Sequence, residues 1–167
     1  MEREACSRAR TLMTVQHYST SWSSTLILID VNVLVYAHRA DTGDHERYRE
    51  WLTGIVNGDA AYGMSDFVLA GFLRVATHPS IFQRPTPLKT ALNFISEIRD
   101  RSNCVPISPG PRHWEIFVRL CQTVNARGNL IPDAYFAALA IESGTEWVTT
   151  DRDYARFPGL RWRHPIY

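Results

Sequence analysis

From residue 26 onward the apolar positions follow two spacings in turn. LILID at 26–30 is a continuous apolar run closing on a carboxylate, the pattern of a strand buried on both faces. In DHERYREWLTGIV at 44–56, Tyr48, Trp51, Leu52, Ile55 and Val56 recur at helical intervals and predict an amphipathic helix. AYGMS at 61–65 is brief enough for a second strand, and Ser65 is placed to cap a helix through DFVLAGFLRVAT that must stop before Pro79. TPLKTALNFISEIRD at 86–100 opens with Thr86 as cap and Pro87 in the first turn of another helix. CVPIS at 104–108 reads as a weak third strand, PRHWEIFVRLCQTV at 111–124 as a helix and ARGNLIP as a loop. DAYFAALAIES at 133–143 is the most helix-prone stretch, ended by Gly144. EWVTT at 146–150 is a fourth strand, FPGL a turn and RWRHP a candidate fifth strand.

Short strands alternating with helices predict an α/β fold, because parallel strands need crossovers and helices make them on both faces. In such a sheet the ligand site lies outside the carboxyl ends of the strands. LILI ends on Asp30 and WVTT on Asp151, so carboxylates distant in sequence are expected at one edge. Asp is depleted in strands, and burial of Asp30 without a partner is costly, so this carboxylate calls for a cation. Asp133 opens a helix, where the dipole alone explains an acid; it is a candidate site residue on equal terms with that role. Asn32 offers an amide that either orients Asp30, binds a phosphate oxygen or caps a helix.

Composition narrows the picture. The chain has 167 residues, 45% apolar and 21% charged, as expected of one globular domain. Its net charge of +1 is no footprint of a nucleic-acid binder, so such contacts would rest on local patches. Arg112, His113, Arg119 and Arg127, with Arg152, Arg156, Arg161 and Arg163, are the candidates. Cys6, Cys104 and Cys121 lack close pairing and predict reduced, mostly buried thiols. No run approaches the roughly 18 apolar residues of a membrane span. TLMTVQHYSTSW is too polar for a signal-peptide core, and a cytoplasmic protein is expected. Residues 1–24 carry five serines and three arginines without periodicity; they predict a flexible tail or a start-site extension, with Met13 an alternative start.

Acids converging without histidine or cysteine form a hard oxygen site suited to Mg²⁺ or Mn²⁺. Such a site binds a phosphodiester and activates water. IDVNVLVYAH at 29–38, SDFVLAGFLRVATHP at 65–79, LIPDAYFAALAIESG at 130–144 and WVTTDRDYARFPGL at 147–160 together resemble a PIN domain, more narrowly a VapC-type toxin of a toxin–antitoxin pair. The resemblance implies a PIN-like three-layer α/β/α domain over 25–167 with a short central parallel sheet of four to five strands. It implies a metal-dependent endoribonuclease, usually a homodimer, acting on structured RNA and held inactive by a VapB-type antitoxin. By matching motif positions, Asp30, Asp133 and Asp151 are implied metal ligands and catalytic acids, with Asp153 a helper beside a second metal position. Thr149 and Thr150 match the hydroxyl-bearing residues before the last acid, and Asn32, Thr150 and Arg74 are substrate-binding candidates.

One position departs from the pattern. Where the family usually has a glutamate inside the second helix of the motif, this chain has Gly71, a residue that signals either close packing or room left for something. Loss of one acid predicts a weaker second metal. Asp66, Asp44 and Glu46 are poor replacements, being placed as first-turn or solvated acids. Arg74 is open between pairing a site carboxylate, holding RNA phosphate and lying at the surface. Phe67, Val68, Phe72, Trp114, Phe117 and Val118 read as core more than interface, whereas exposure of Tyr48, Trp51 or Leu52 would mark a partner groove. Two functions follow: the ribonuclease, or a catalytically weakened domain that binds RNA or antitoxin.

Overall fold

The computed structural model describes residues 25–167. The tail expected over 1–24, and Cys6 with it, lie outside the described residues. The chain runs β1 (Ile27–Ile29), α1 (Val31–His38), α2 (His45–Val56), β2 (Tyr62–Met64), α3 (Asp66–Ala76) and α4 (Leu88–Arg99). It continues through β3 (Cys104–Pro106), α5 (His113–Thr123), α6 (Leu130–Ser143), β4 (Glu146–Val148), a 3₁₀ turn (Arg152–Arg156) and β5 (Trp162–Arg163). The five strands form one sheet in the order β3-β2-β1-β4-β5, and every neighbouring pair is parallel.

Right-handed crossovers then decide the layers. The steps from β1 to β2 to β3 run in one direction and place α1 to α4 on one face; the return from β3 to β4 places α5 and α6 on the other. The packing follows suit, α1 lying on α2 and α3, and α5 on α6. Strand order reverses between β1 and β4, the crevice where open α/β sheets bind ligands. Leu28, Ile29, Trp147 and Val148 are wholly buried in these two central strands.

Helix α1 departs from the periodicity reading. VNVLVYAH is rich in β-branched residues, yet it turns helical straight after β1 because Asp30 caps it and its Val33, Leu34, Val35 and Ala37 are buried together. Packing overrides propensity here. The helix expected from Asp133 starts at Leu130; Pro132 is tolerated because a first-turn residue needs no intrahelical N–H partner. Gly144 ends α6 in the left-handed conformation at φ 68°, as expected. Ser65 caps α3 by accepting from the Phe67 N–H. Thr86 does not cap α4; Pro87 takes that position, and the buried Thr86 hydroxyl accepts from Arg39 Nη1 at 3.1 Å. The buried guanidinium of Arg39 needs acceptors, and this demand outranks the cap.

Candidate active site

Because β1 passes directly into α1, the Asp30 carboxylate turns back onto the helix it starts. Oδ1 accepts from the Val31 N–H at 2.6 Å, and Oδ2 accepts from the Thr149 hydroxyl at 2.6 Å. Asp30 is only 5% exposed. Burial pushes its carboxyl up to about 7 against the pull of these two hydrogen bonds, and the charges of Asp133 and Asp151 add to the rise.

Thr149 joins the two central strands. Its Oγ1 also accepts from Asn32 Nδ2 at 3.1 Å and from the Asp151 N–H at 3.0 Å. Asn32 Oδ1 in turn accepts from the Thr150 N–H at 3.3 Å. Asn32 therefore does not bond Asp30 directly: it fixes the hydroxyl that does. The two neighbouring threonines take different places. Thr149 faces Asp30, while Thr150 lines a separate hollow with Arg152, Trp162, His164 and Tyr167.

Asp133 lies half-buried in the first turn of α6. Burial, then the charge of Asp151, pushes it up to about 6, although the Tyr154 hydroxyl donates to its Oδ1 at 3.4 Å. Tyr154 is itself buried, and burial beside these three acids raises its phenol well above the ordinary value. Asp151 is exposed and caps the 3₁₀ turn, accepting from the Asp153 N–H at 2.8 Å. Asp30, Asp133 and Asp151 all line one cleft of about 440 Å³, and Arg74 lines it too. Among the described residues none of these three acids has an ion-pair partner, and neither has Arg74. Asp153 differs: it pairs with Arg156 at 3.2 Å and stays outside the lining.

The acids share a cleft, yet they do not close on one point. Among the described residues no three His, Cys, Asp or Glu side chains are gathered closely enough to hold an ion as they stand. The physical reason is visible in the bonds above: each carboxylate of a mutually repelling set has turned to a local donor. Among the described residues no fourth acid completes the set. Asp66 pairs with Arg99 at 3.0 Å and Glu46 with Arg49 at 2.8 Å. At Gly71 an added Cβ would lie 2.8 Å from Val31 Cγ2, so the glycine is there for close packing of α3 on α1.

The surface residues sort differently from the sequence reading. Val68 and Phe72 are buried, but Phe67 is 54% and Trp114 69% exposed. Tyr48 and Leu52 are buried and Trp51 is half-buried against the core, so none of the three is exposed as a partner groove on α2 would need. Cys104 and Cys121 are unpaired thiols, half-buried where buried ones were expected. Tyr154 went unnoticed in the sequence; its signal was a hydroxyl-bearing aromatic directly after DRD.

The family pattern described as PIN domain matches residues 27–160. The chain belongs to the PIN-domain family. Within it, this PIN domain is 44% identical over 141 residues to VapC ribonuclease Mb2897 of Mycobacterium bovis, covering 84% of this chain and 96% of that protein. It is 39% identical over 140 residues to ribonuclease VapC25 of Mycobacterium tuberculosis, covering 84% and 99%. The fold of this PIN domain is that of the VapBC2 complex from Rickettsia felis bound to a promoter DNA fragment, with a TM-score of 0.59 at 18% identity over 83% of this chain and 98% of the other. No helix among the described residues is long and apolar enough to cross a membrane.

Proposed function

We propose that this PIN domain is an endoribonuclease toxin of the VapC kind, dependent on a divalent cation and restrained by a VapB-type antitoxin. The observation that carries it is the set of three carboxylates, without ion-pair partners among the described residues, Asp30, Asp133 and Asp151, on one cleft at the β1/β4 switch point. Relatives named as VapC ribonucleases, matched across nearly their whole length, support the same reading.

The donor set suits a hard cation. It is all oxygen, and two of its carboxyls are held near neutrality by burial and mutual repulsion, so a divalent charge would relieve both. Asp30, Asp133 and Asp151 would hold Mg²⁺, with Mn²⁺ as alternative, and Asp153 stands beside them. Bound there, the cation supplies Lewis acidity toward a phosphate oxygen and toward water. The protein's own residues do the placing. Thr149, fixed by Asn32, holds Asp30; Tyr154 holds Asp133; and Arg74, free in the cleft, meets the phosphate. Water adds to phosphorus as the bond to the 3′ oxygen breaks, leaving 5′-phosphate and 3′-hydroxyl ends.

The partners follow from the surface. Leu88 and Leu92, exposed one turn apart on α4, offer the antitoxin an apolar edge, and Phe67 with Trp114 offers a second copy of this chain another. The setting is the cytoplasm. Gly71, packed on Val31, favours a second reading, a weakened domain that binds without cutting. Total RNA incubated with antitoxin-free protein in Mg²⁺, Mn²⁺ or EDTA separates the two. Discrete cuts that need the cation and vanish in Asp30→Asn are expected. Intact RNA under every condition, with folded protein, would favour the binding module.

A further inference from the structure

Beside the acid cleft, on the other side of Asp151, lies a second hollow of about 210 Å³. Its position follows from chain geometry. Asp151 is extended, at φ −87° and ψ 117°, so its neighbours point away from the face it presents. Asp151 lines the cleft, while Thr150 and Arg152 line the hollow together with Trp162, His164 and Tyr167. The two sites are one residue apart along the backbone.

Its lining is aromatic and cationic, with no acidic side chain. Among the arginines from 152 to 163, Arg156 is engaged by Asp153, Arg163 by Glu146 at 2.8 Å, and Arg161 donates to the Gly144 carbonyl. Arg152 is exposed and has no ion-pair partner among the described residues. Tyr167 is 79% exposed, yet its ring is held: Arg47 Nη1 donates to its hydroxyl at 2.7 Å, and the guanidinium lies 4.8 Å from the ring centre. The His164 ring centre lies 4.8 Å from it, tilted by 41°. An exposed aromatic fixed in place has already given up the rotamer freedom that stacking a ligand would cost.

We propose that this hollow is a nucleobase-stacking subsite, in which a base next to the scissile phosphodiester lies against Trp162 and Tyr167 and its phosphate pairs with Arg152. The inference rests on the ribonuclease reading above and adds to it where the substrate is gripped. Aromatic faces accept any base, whereas the narrow lining admits a single one and Thr150 supplies a hydroxyl for its edge; the subsite therefore sets binding strength and a preference at one nucleotide.

The test uses the full chain with Asp30→Asn, chosen to prevent cutting, in EDTA with fluorescein-labelled hexaribonucleotides. Tyr167→Ala is expected to weaken binding about 5- to 100-fold, and Tyr167→Phe to restore most of it. Arg152→Ala is expected to weaken binding and to lower the slope of log affinity against log salt by about 0.7. Thermal midpoints within error of the parent keep these effects apart from misfolding. In the chain with Asp30 intact, Tyr167→Ala should shift which bases flank the cuts. Tyr167→Ala and Arg152→Ala proteins that bind and cut like their parents would overturn the subsite and leave the ribonuclease standing. RNA binding absent from the Asp30→Asn parent, with no cuts by the chain retaining Asp30, would overturn both.

Discussion

Burying Asp30 is costly, and the cost has a sign that pH reveals. Its folded value of about 7 lies above the ordinary 3.8, so the folded state holds the proton more tightly than the unfolded chain does. The stability this contributes is complete below about pH 4 and is lost as pH rises through about 7. Asp30→Asn keeps the shape without the charge. In the cation-free protein it should therefore raise stability by roughly 1–3 kcal/mol at pH 8, with the gain fading toward pH 4, as denaturant melts across pH would show. Gly71 carries a second prediction. Val31 is stiff at χ1 and cannot swing away from a Cβ arriving at 2.8 Å, so Gly71→Ala should cost about 1–2 kcal/mol despite alanine's better helix propensity. In a Val31→Ala background the same change should become neutral or stabilising, and a double-mutant cycle in urea reads the reversal. Equal costs in both backgrounds would remove the packing account.

At the scale of elements, the bond set around Thr149 ties the end of β4 to the start of α1. Thr149→Val deletes the donor to a buried carboxylate and the acceptor of Asn32 and Asp151. A loss of about 1–3 kcal/mol is expected, larger at pH 8 than at pH 5 because the charged form of Asp30 is the one the hydroxyl serves. A loss independent of pH would mean that Asn32 and Asp151, not Asp30, use the hydroxyl. These elements were unevenly legible in the sequence. Helices α2 and α3 were readable because apolar spacing, with a serine cap on α3, coincides with burial on one side, and β1, β2 and β4 because short apolar runs coincide with burial; β3 and β5, less buried at the sheet's edges, left weaker signals. Helix α1 was not readable, since almost every position of VNVLVYAH is apolar and the period is erased. The early start of α6 was hidden by Pro132, a residue that reads as a breaker unless it stands in the first turn. That Asp30, Asp133 and Asp151 come to one cleft could be read from strand ends and motif spacing. Which threonine faces Asp30, and the part played by Tyr154, depend on side-chain direction after β4, which neither period nor propensity encodes.

At the scale of the whole molecule, a nearly neutral chain brings three acids, unpaired among the described residues, to one crevice whose lining also holds Arg74 and several aromatic rings. That arrangement predicts how the protein meets a cation. Near pH 7 Asp30 holds part of a proton, and Asp133, at about 6, holds less. Cation binding must expel those protons, so affinity should rise with pH through the range of about 6 to 7 and level off above it. The missing fourth acid, sealed off where Gly71 meets Val31, predicts one tight ion and at most a weak second. Calorimetric titration of the protein with Mn²⁺ at pH 7, in two buffers of different ionisation heat, shows whether the cleft is a metal centre. One tight site that releases protons on binding, and that Asp30→Asn and Asp133→Asn each abolish, is the predicted result. Binding that survives both substitutions, or that releases no proton, would contradict the assignment of the cleft as a metal centre built on these acids.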